Sequence, residues 1–255
     1  KITLPAAIVS SFAGKDIDLA LLALALISIA QGAIYMIIMY VINAKRGKEA
    51  QSFEILNTAG SNIGNFTLPF AQSFLGPMGV ITTSLFDVGN ACICLGGAYS
   101  IASIVKGGGK FSPMKILKAL SKSVAFDCYV FMVLLTIFNI KLPGVVVSFA
   151  EIIANANAFM AMLMIGVGFK LSGDKSQIGS IVRVLTVRYS IAALLAVGCY
   201  TLLPFSLEIR QALVILAFSP IASAAPAFTG DLKGDVGLSS ALNSISIVCS
   251  IVFIV

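Results

Sequence analysis

Histidine and tryptophan are absent from this 255-residue chain, and charged side chains make up only 11% of it. Without histidine no His/Cys zinc site can be assembled, which removes the zinc proteases from consideration. The shortage of charge, set against 58% hydrophobic residues, excludes an ordinary soluble domain. The aspartyl intramembrane proteases use Tyr-Asp and Gly-x-Gly-Asp within spans; here FTGD (228–231) and LKGD (232–235) flank a loop instead, so an intramembrane enzyme is disfavoured. The net charge of +6 comes from short Lys/Arg clusters with no aromatic interleaving, which argues against a nucleic-acid partner.

Five cysteines are present, Cys92, Cys94, Cys128, Cys199 and Cys249, all within apolar runs. They read as small buried hydrophobes. Cys92 and Cys94 are two residues apart, about 200° around a helix, and cannot ligate one ion together. No metal or other cofactor is expected.

What is present in abundance is apolar sequence. Nine runs occur, at residues 2–12, 17–42, 53–74, 78–105, 116–138, 145–169, 178–203, 209–228 and 236–255. Most reach the roughly 20 residues a helix needs to cross about 30 Å of hydrocarbon. The chain therefore reads as an all-α polytopic membrane protein in a lipid bilayer. The first run is about half a span, so part of a helix, and one helix of a repeat, is expected to precede Lys1. A signal-peptide core ending in Phe12-Ala13-Gly14 is the rival reading of that run.

Basic residues set the orientation. Lys45, Arg46 and Lys48 follow the second run, Lys106, Lys110, Lys115, Lys118 and Lys122 the fourth, and Lys170, Lys175, Arg183 and Arg188 the sixth. With Lys1 and Lys233, fourteen of the seventeen Lys and Arg fall on one side, against Lys15, Lys141 and Arg210 on the other. That side is cytoplasmic by the positive-inside rule, the protein is expected in the cell membrane, and its C-terminus is outside.

Two runs are not plain helices. Residues 53–74 contain Asn57, Gly60, Asn62, Gly64, Asn65 and Pro69; residues 209–228 contain Ser219, Pro220, Ser223 and Pro226. Proline removes a backbone donor and crowds the preceding turn, leaving polar groups that lipid cannot satisfy, so both interruptions must face protein or a water-filled cavity. One further run follows each interruption. If the second half has five runs, the first should have five as well, with its first helix missing here. An odd number inverts the second copy, the inverted-repeat architecture of secondary transporters, with repeats at 1–106 and 107–255.

The stretch NTAGSNIGNFTLPFAQSFLGPMGV (57–80), followed by SLFDVGNACICLGGAY (84–99), resembles the auxin efflux carrier family of the bile/arsenite/riboflavin transporter superfamily. In that family a Gly-Asn-x-x-x-Pro break precedes an Asp-x-Gly-Asn span. ANANAFMAMLMIGVGFKL (154–171) and LSSALNSISIVCSI (238–251) resemble the corresponding spans of the second half. The resemblance implies ten helices, two crossed broken helices, a scaffold and a panel domain, and alternating-access movement of small organic anions, carboxylates in particular. It also implies that Asn62, seven residues before Pro69, matches the asparagine that meets the substrate carboxylate in the plant auxin exporters. Two departures stand out. Many members carry Asn four residues after the proline of the second broken helix, here Pro220, where this chain has Ala224 beside Ser223, and the Asn-Pro that often opens the sixth helix is absent from SKSVA (121–125).

The candidate substrate site comprises Asn62, Asn65, Pro69, Ser223 and Pro226. Half-helix N-termini provide unpaired amides and about half a positive charge each, and asparagine adds donors without a full counter-charge. The competing reading makes Asn57, Asn62 and Asn65 caps of broken helix ends. Gly60 and Gly64 suit close helix packing. Ionisable residues inside spans point to function, which makes Asp87, its neighbour Asn90 and the more isolated Asp127 candidates for proton coupling. Asp87 can equally pair with a helix amide or with Arg188. Glu54, Glu151 and Arg183 lie near interfaces and need no special role. Thr67, Ser219, Ser223 and Thr229 offer oxygens to sodium, but with no acidic cluster beside them proton coupling or facilitated movement is preferred. A ligand-sensing receptor on a transporter-like fold is the alternative function, and a homodimer a possible assembly.

Cysteines placed at Gly47 and Gly108 are expected to react with an impermeant thiol reagent only from the cytoplasmic side, and one at Gly76 only from outside. Labelling of Gly76 and Gly108 from the same side overturns the span count.

Overall fold

The computed structural model describes residues 2–13, 19–108, 113–168 and 177–255. Lys1, Lys15, Lys110, Lys170 and Lys175, which contribute to the orientation argument, lie outside the described residues. Regular structure is helical, with no strand among the described residues. In chain order the helices are α1 (Thr3–Phe12), α2 (Ala23–Ile42), α3 (Lys48–Ala59), α4 (Leu68–Cys92), α5 (Ala98–Lys106), α6 (Pro113–Leu120), α7 (Val124–Ile137), α8 (Gly144–Ala154), α9 (Asn157–Gly168), α10 (Ile178–Leu202), α11 (Leu207–Ala217), α12 (Ala225–Asp231) and α13 (Val236–Ile254). Wide π-turns at Ile63–Thr67 and Ile93–Gly97 lead into α4 and α5.

Five stretches are long and apolar enough to cross a bilayer: Ala23–Ile42, Ile63–Lys106, Gly144–Met164, Ile178–Leu202 and Val236–Ile254. They mark a multi-pass membrane protein. Leu26, Ile37, Val145, Phe149, Leu194 and Val252 project from these stretches into the surroundings. In water so much exposed aliphatic surface would aggregate; in lipid it is the contact surface.

Several runs differ in detail from the sequence expectation. The 53–74 run begins earlier, at Lys48, and opens at Gly60–Asn62. Pro69 is not the breaker. It sits in the first turn of α4, where a missing N–H costs nothing. Gly76 separates the 53–74 run from the next through a backbone turn with φ of 59°, a left-handed conformation open to glycine, and Pro77 follows it. The 116–138 run is two helices, α6 and α7, parted at residues 121–123, with the Ser123 hydroxyl accepting from the Phe126 amide as the cap of α7. The 145–169 run is likewise divided between α8 and α9 at Asn155 and Ala156.

Packing joins these pieces into three large clusters and a small one of Ala7, Leu68, Val80 and Ala154. One joins α1, the start of α2, Ile63, α4, α7 and α11; a second joins α2, α3, Ile93, α5 and Ile191; a third joins α10, Ile221, α12 and α13. The two interruptions lie where these clusters meet, since Ala59, Ile63 and Ile221 each belong to a different one.

Close approach at the first interruption needs glycine. A β-carbon on Gly60 would lie 2.6 Å from Cys94 Sγ and 3.2 Å from Ala222 Cβ. Gly60→Ala is expected to destabilise by about 1–3 kcal/mol, the usual cost of overpacking, or roughly 2–4 °C of melting temperature per kcal/mol in a chain of this size. Adding Cys94→Ala should recover part of the loss. A Gly60→Ala protein that melts with the wild type refutes the contact.

Candidate functional site: a crossing of two interrupted helices

The two interruptions touch directly. Ser61 and Ile221 pair as an isolated antiparallel bridge, with the Asn62 amide donating to the Pro220 carbonyl at 2.9 Å and the Ala222 amide donating to the Gly60 carbonyl at 3.1 Å. Each chain breaks for local reasons. Gly60 and Asn62 leave helical geometry between α3 and the π-turn, and Pro220 follows the end of α11 at Ala217. Each then restarts with a proline in the first turn of the next helix, Pro69 in α4 and Pro226 in α12.

Two asparagines hold the crossing in place, and they do so alike. Asn90, on α4, accepts from the Ser61 amide at 3.0 Å and donates to the Ser61 carbonyl at 2.8 Å. Asn243, on α13, donates to the Ile221 carbonyl at 2.9 Å, while the Ile221 amide donates to Ser246 Oγ at 3.0 Å. Thus each exposed peptide is bonded by side chains from the helix that follows its interruption. In a low-dielectric interior an unbonded peptide group costs several kcal/mol.

Arg188 is the largest fully buried side chain, at 1% exposure. Its guanidinium donates to the Thr58 carbonyl in the last turn of α3, to the Ser219 carbonyl just past α11 at 3.0 Å, and to Ser61 Oγ at 3.1 Å. It also lies 5.0 Å from the centre of the Tyr35 ring. No ion pair involves it among the described residues. The expectation that Arg188 belongs to a cytoplasmic cluster is corrected: it lies ten residues into α10, about 15 Å along the helix axis.

The predicted site residues fall into three groups. Asn62 lies in the interruption itself at 7% exposure. Its side chain makes no capping bond, and no hydrogen bond engages its amide among the described residues. Asn65 follows in the π-turn, half-buried, while Ser223 is exposed and Pro226 half-buried on the other chain. Asn57 is buried, donates to Thr229 Oγ1 at 3.1 Å and accepts from Ser239, tying α3 to α12 and α13.

Asp87 and Asn90 are joined, with Asn90 Nδ2 donating to Asp87 Oδ1 at 2.9 Å. Tyr129 of α7 donates to Asp87 Oδ2 at 3.0 Å, and a β-carbon on Gly64 would lie 3.1 Å from the same oxygen, so the carboxylate packs against the π-turn. Arg188, one of the partners weighed for Asp87, bonds other groups instead. Asp127 is not at midspan. It is exposed in the first turn of α7, where the helix dipole favours a carboxylate.

Glu54 and Arg183, each read as lying near an interface with no special role, bond one another. Glu54 is 4% exposed and accepts from Asn43 at 2.7 Å, from Arg46 at 2.7 Å and from Arg183. This network joins α2, α3 and α10 on the side carrying Gly47. Two cavities lie away from the crossing: an apolar one of about 610 Å³ between α10, α11 and Leu75, and a polar one of about 310 Å³ beside Glu54, Lys106 and Asp235.

Arg188 and Asn243 are the residues sequence reasoning missed. An arginine well inside an apolar run is a signal in itself, but counting it toward the positive side concealed it. Compared with protein-family models the chain finds no match, and compared with curated proteins it finds none.

Replacing Asn90 with Leu leaves the Ser61 amide unbonded and its carbonyl with only the weak Cys94 thiol donor, at about 1–3 kcal/mol for each lost bond, whereas Asn243→Leu exposes only one carbonyl. Thermal melts should therefore rank wild type above Asn243→Leu above Asn90→Leu. Equal melting temperatures for the two variants count against the clamp.

Proposed function

We propose that this protein is a secondary transporter of small organic anions, carboxylates in particular, of the auxin efflux carrier type. Substrate binds at the crossing and is released to either side by alternating access. The observation that carries this reading is the crossing itself, in which two interrupted helices exchange backbone hydrogen bonds inside a multi-pass protein. Backbone of that kind is tolerated at membrane depth only within protein or beside a water-filled cavity, and in transporters it forms the midplane site.

The two halves carry matching parts, which supports an inverted repeat. Each has an interruption, a proline in the first turn after it, and an asparagine on the following helix that bonds the interrupted peptide. In this reading α1 and α6–α9 form the scaffold and the remaining helices the panel that carries substrate. The π-turn before α4 and the start of α12 bring positive helix ends toward the crossing.

Asn62 donates to the substrate carboxylate. Its side-chain amide has no hydrogen-bond partner among the described residues, and its backbone N–H is already held by Pro220. Asp87 is the proton-coupling candidate, hydrogen-bonded to the panel through Asn90 and to the scaffold through Tyr129.

Purified protein in liposomes tests this directly. Uptake of labelled mono- and dicarboxylates identifies the anion; ligand binding with no transbilayer movement favours a receptor. Asn62→Ala should weaken substrate affinity by roughly ten- to a hundredfold, the equivalent of a charge-assisted hydrogen bond of about 1.5–3 kcal/mol. Asn62→Asp should be worse, because it sets a like charge against the anion. Both should melt close to wild type, since the side chain makes no internal bond. Normal anion affinity in Asn62→Asp would falsify the assignment.

A further inference from the structure

We infer that Arg188 is a built-in counter-cation: its guanidinium fills, between the C-terminal ends of α3 and α11, a position that would otherwise take a free monovalent cation. The geometry is that of a cation site. Two backbone carbonyls, of Thr58 and Ser219, and one hydroxyl, of Ser61, converge on the guanidinium. A second pair of hydroxyls adjoins them, Ser219 Oγ and Thr67 Oγ1, 2.6 Å apart. Neutral carbonyl and hydroxyl oxygens are the ligands a hard cation takes.

The electrostatics balance without an acid. Each helix C-terminus carries about half a negative charge. Two of them, from α3 and α11, offset about one positive charge, and that is what a guanidinium supplies. A buried arginine normally needs a carboxylate to offset its desolvation. Here the paired helix ends take that part, and the Tyr35 ring covers a face of the cation with a further favourable term.

Lysine would present a point charge with no fixed fork, and a free ion would be held only as tightly as its concentration allows. The planar fork of arginine reaches several acceptors in fixed directions, and its attachment to α10 means that it neither dissociates nor depends on external ion concentration. The oxygens that suggest sodium binding in the sequence, Thr67 and Ser219, thus stand beside a charge the protein already owns. The crossing requires no bound sodium.

The test is thermal stability of purified protein in choline, sodium, potassium or guanidinium chloride at equal ionic strength. Wild type and Arg188→Lys should melt at the same temperature in sodium, potassium and choline. Arg188→Ala vacates the position, so its melting temperature should rise in sodium, potassium or guanidinium relative to choline and should saturate with concentration, as mass action requires. Folding of Arg188→Ala only when one of these cations is present supports the inference too. If Arg188→Ala folds in none of the salts, Arg188→Lys decides: a folded lysine variant supports a role for charge, and an unfolded one overturns it. Sodium-dependent melting of the wild type, or an Arg188→Ala protein that folds and is indifferent to every cation, also overturns it. These melts need no transported substrate, so they stand or fall separately from the transport reading.

Discussion

Every unusual feature of this protein follows from one constraint: peptide groups taken out of a helix inside a membrane protein must find partners within the protein. Ten such groups are accounted for at the crossing. The Asn62 and Ala222 amides bond the Pro220 and Gly60 carbonyls across the two chains. Asn90 takes both groups of Ser61, and Asn243 with Ser246 takes both groups of Ile221. Arg188 then takes the carbonyls of Thr58 and Ser219 that the ending helices leave. Remove any one and a dry polar group remains, which is why these polar side chains lie in otherwise apolar helices.

The same constraint fixes where charge can sit. An interrupted helix presents a negative end and a positive end to the gap. Arg188 lies at the negative ends of α3 and α11, bonding the Thr58 and Ser219 carbonyls, while Asp87 packs against Gly64 in the turn that opens the helix after the first interruption. The cation and the acid therefore each stand beside a helix end of opposite sign. They do not pair with one another, although both are charged and both are connected to Ser61, one through its hydroxyl and the other through Asn90.

Much of this was legible in the sequence, and the exceptions have physical causes. Asparagines, glycines and prolines concentrated in two apolar runs announce interruptions, because each residue type weakens a helix or bonds free backbone. The pattern could not say which residue breaks the chain. Pro69 looked responsible but occupies a first turn, where proline is tolerated, and the break falls at Gly60 and Asn62. Divisions between α6 and α7 and between α8 and α9 fall at Ser121–Ser123 and at Asn155–Ala156, polar breaks too short to interrupt a run read over the length of a span. Asp127 was misplaced for a related reason: a residue's depth depends on where helices start, and boundaries are the least secure part of such a reading.

Arg188 shows the sharper limit. Positive-inside counting treats every arginine near a span end as interfacial, yet Arg183 lies about one and a half turns into α10 and Arg188 nearly three. Only tertiary structure distinguishes them. Arg183 reaches Glu54, a carboxylate, as an arginine near the interface can; Arg188 reaches two carbonyls and a hydroxyl. What makes the second arginine tolerable is not on its own helix. It is supplied by α3 and α11, whose ends converge only because their chains cross, and the crossing in turn leaves those ends bonded only because the arginine is there.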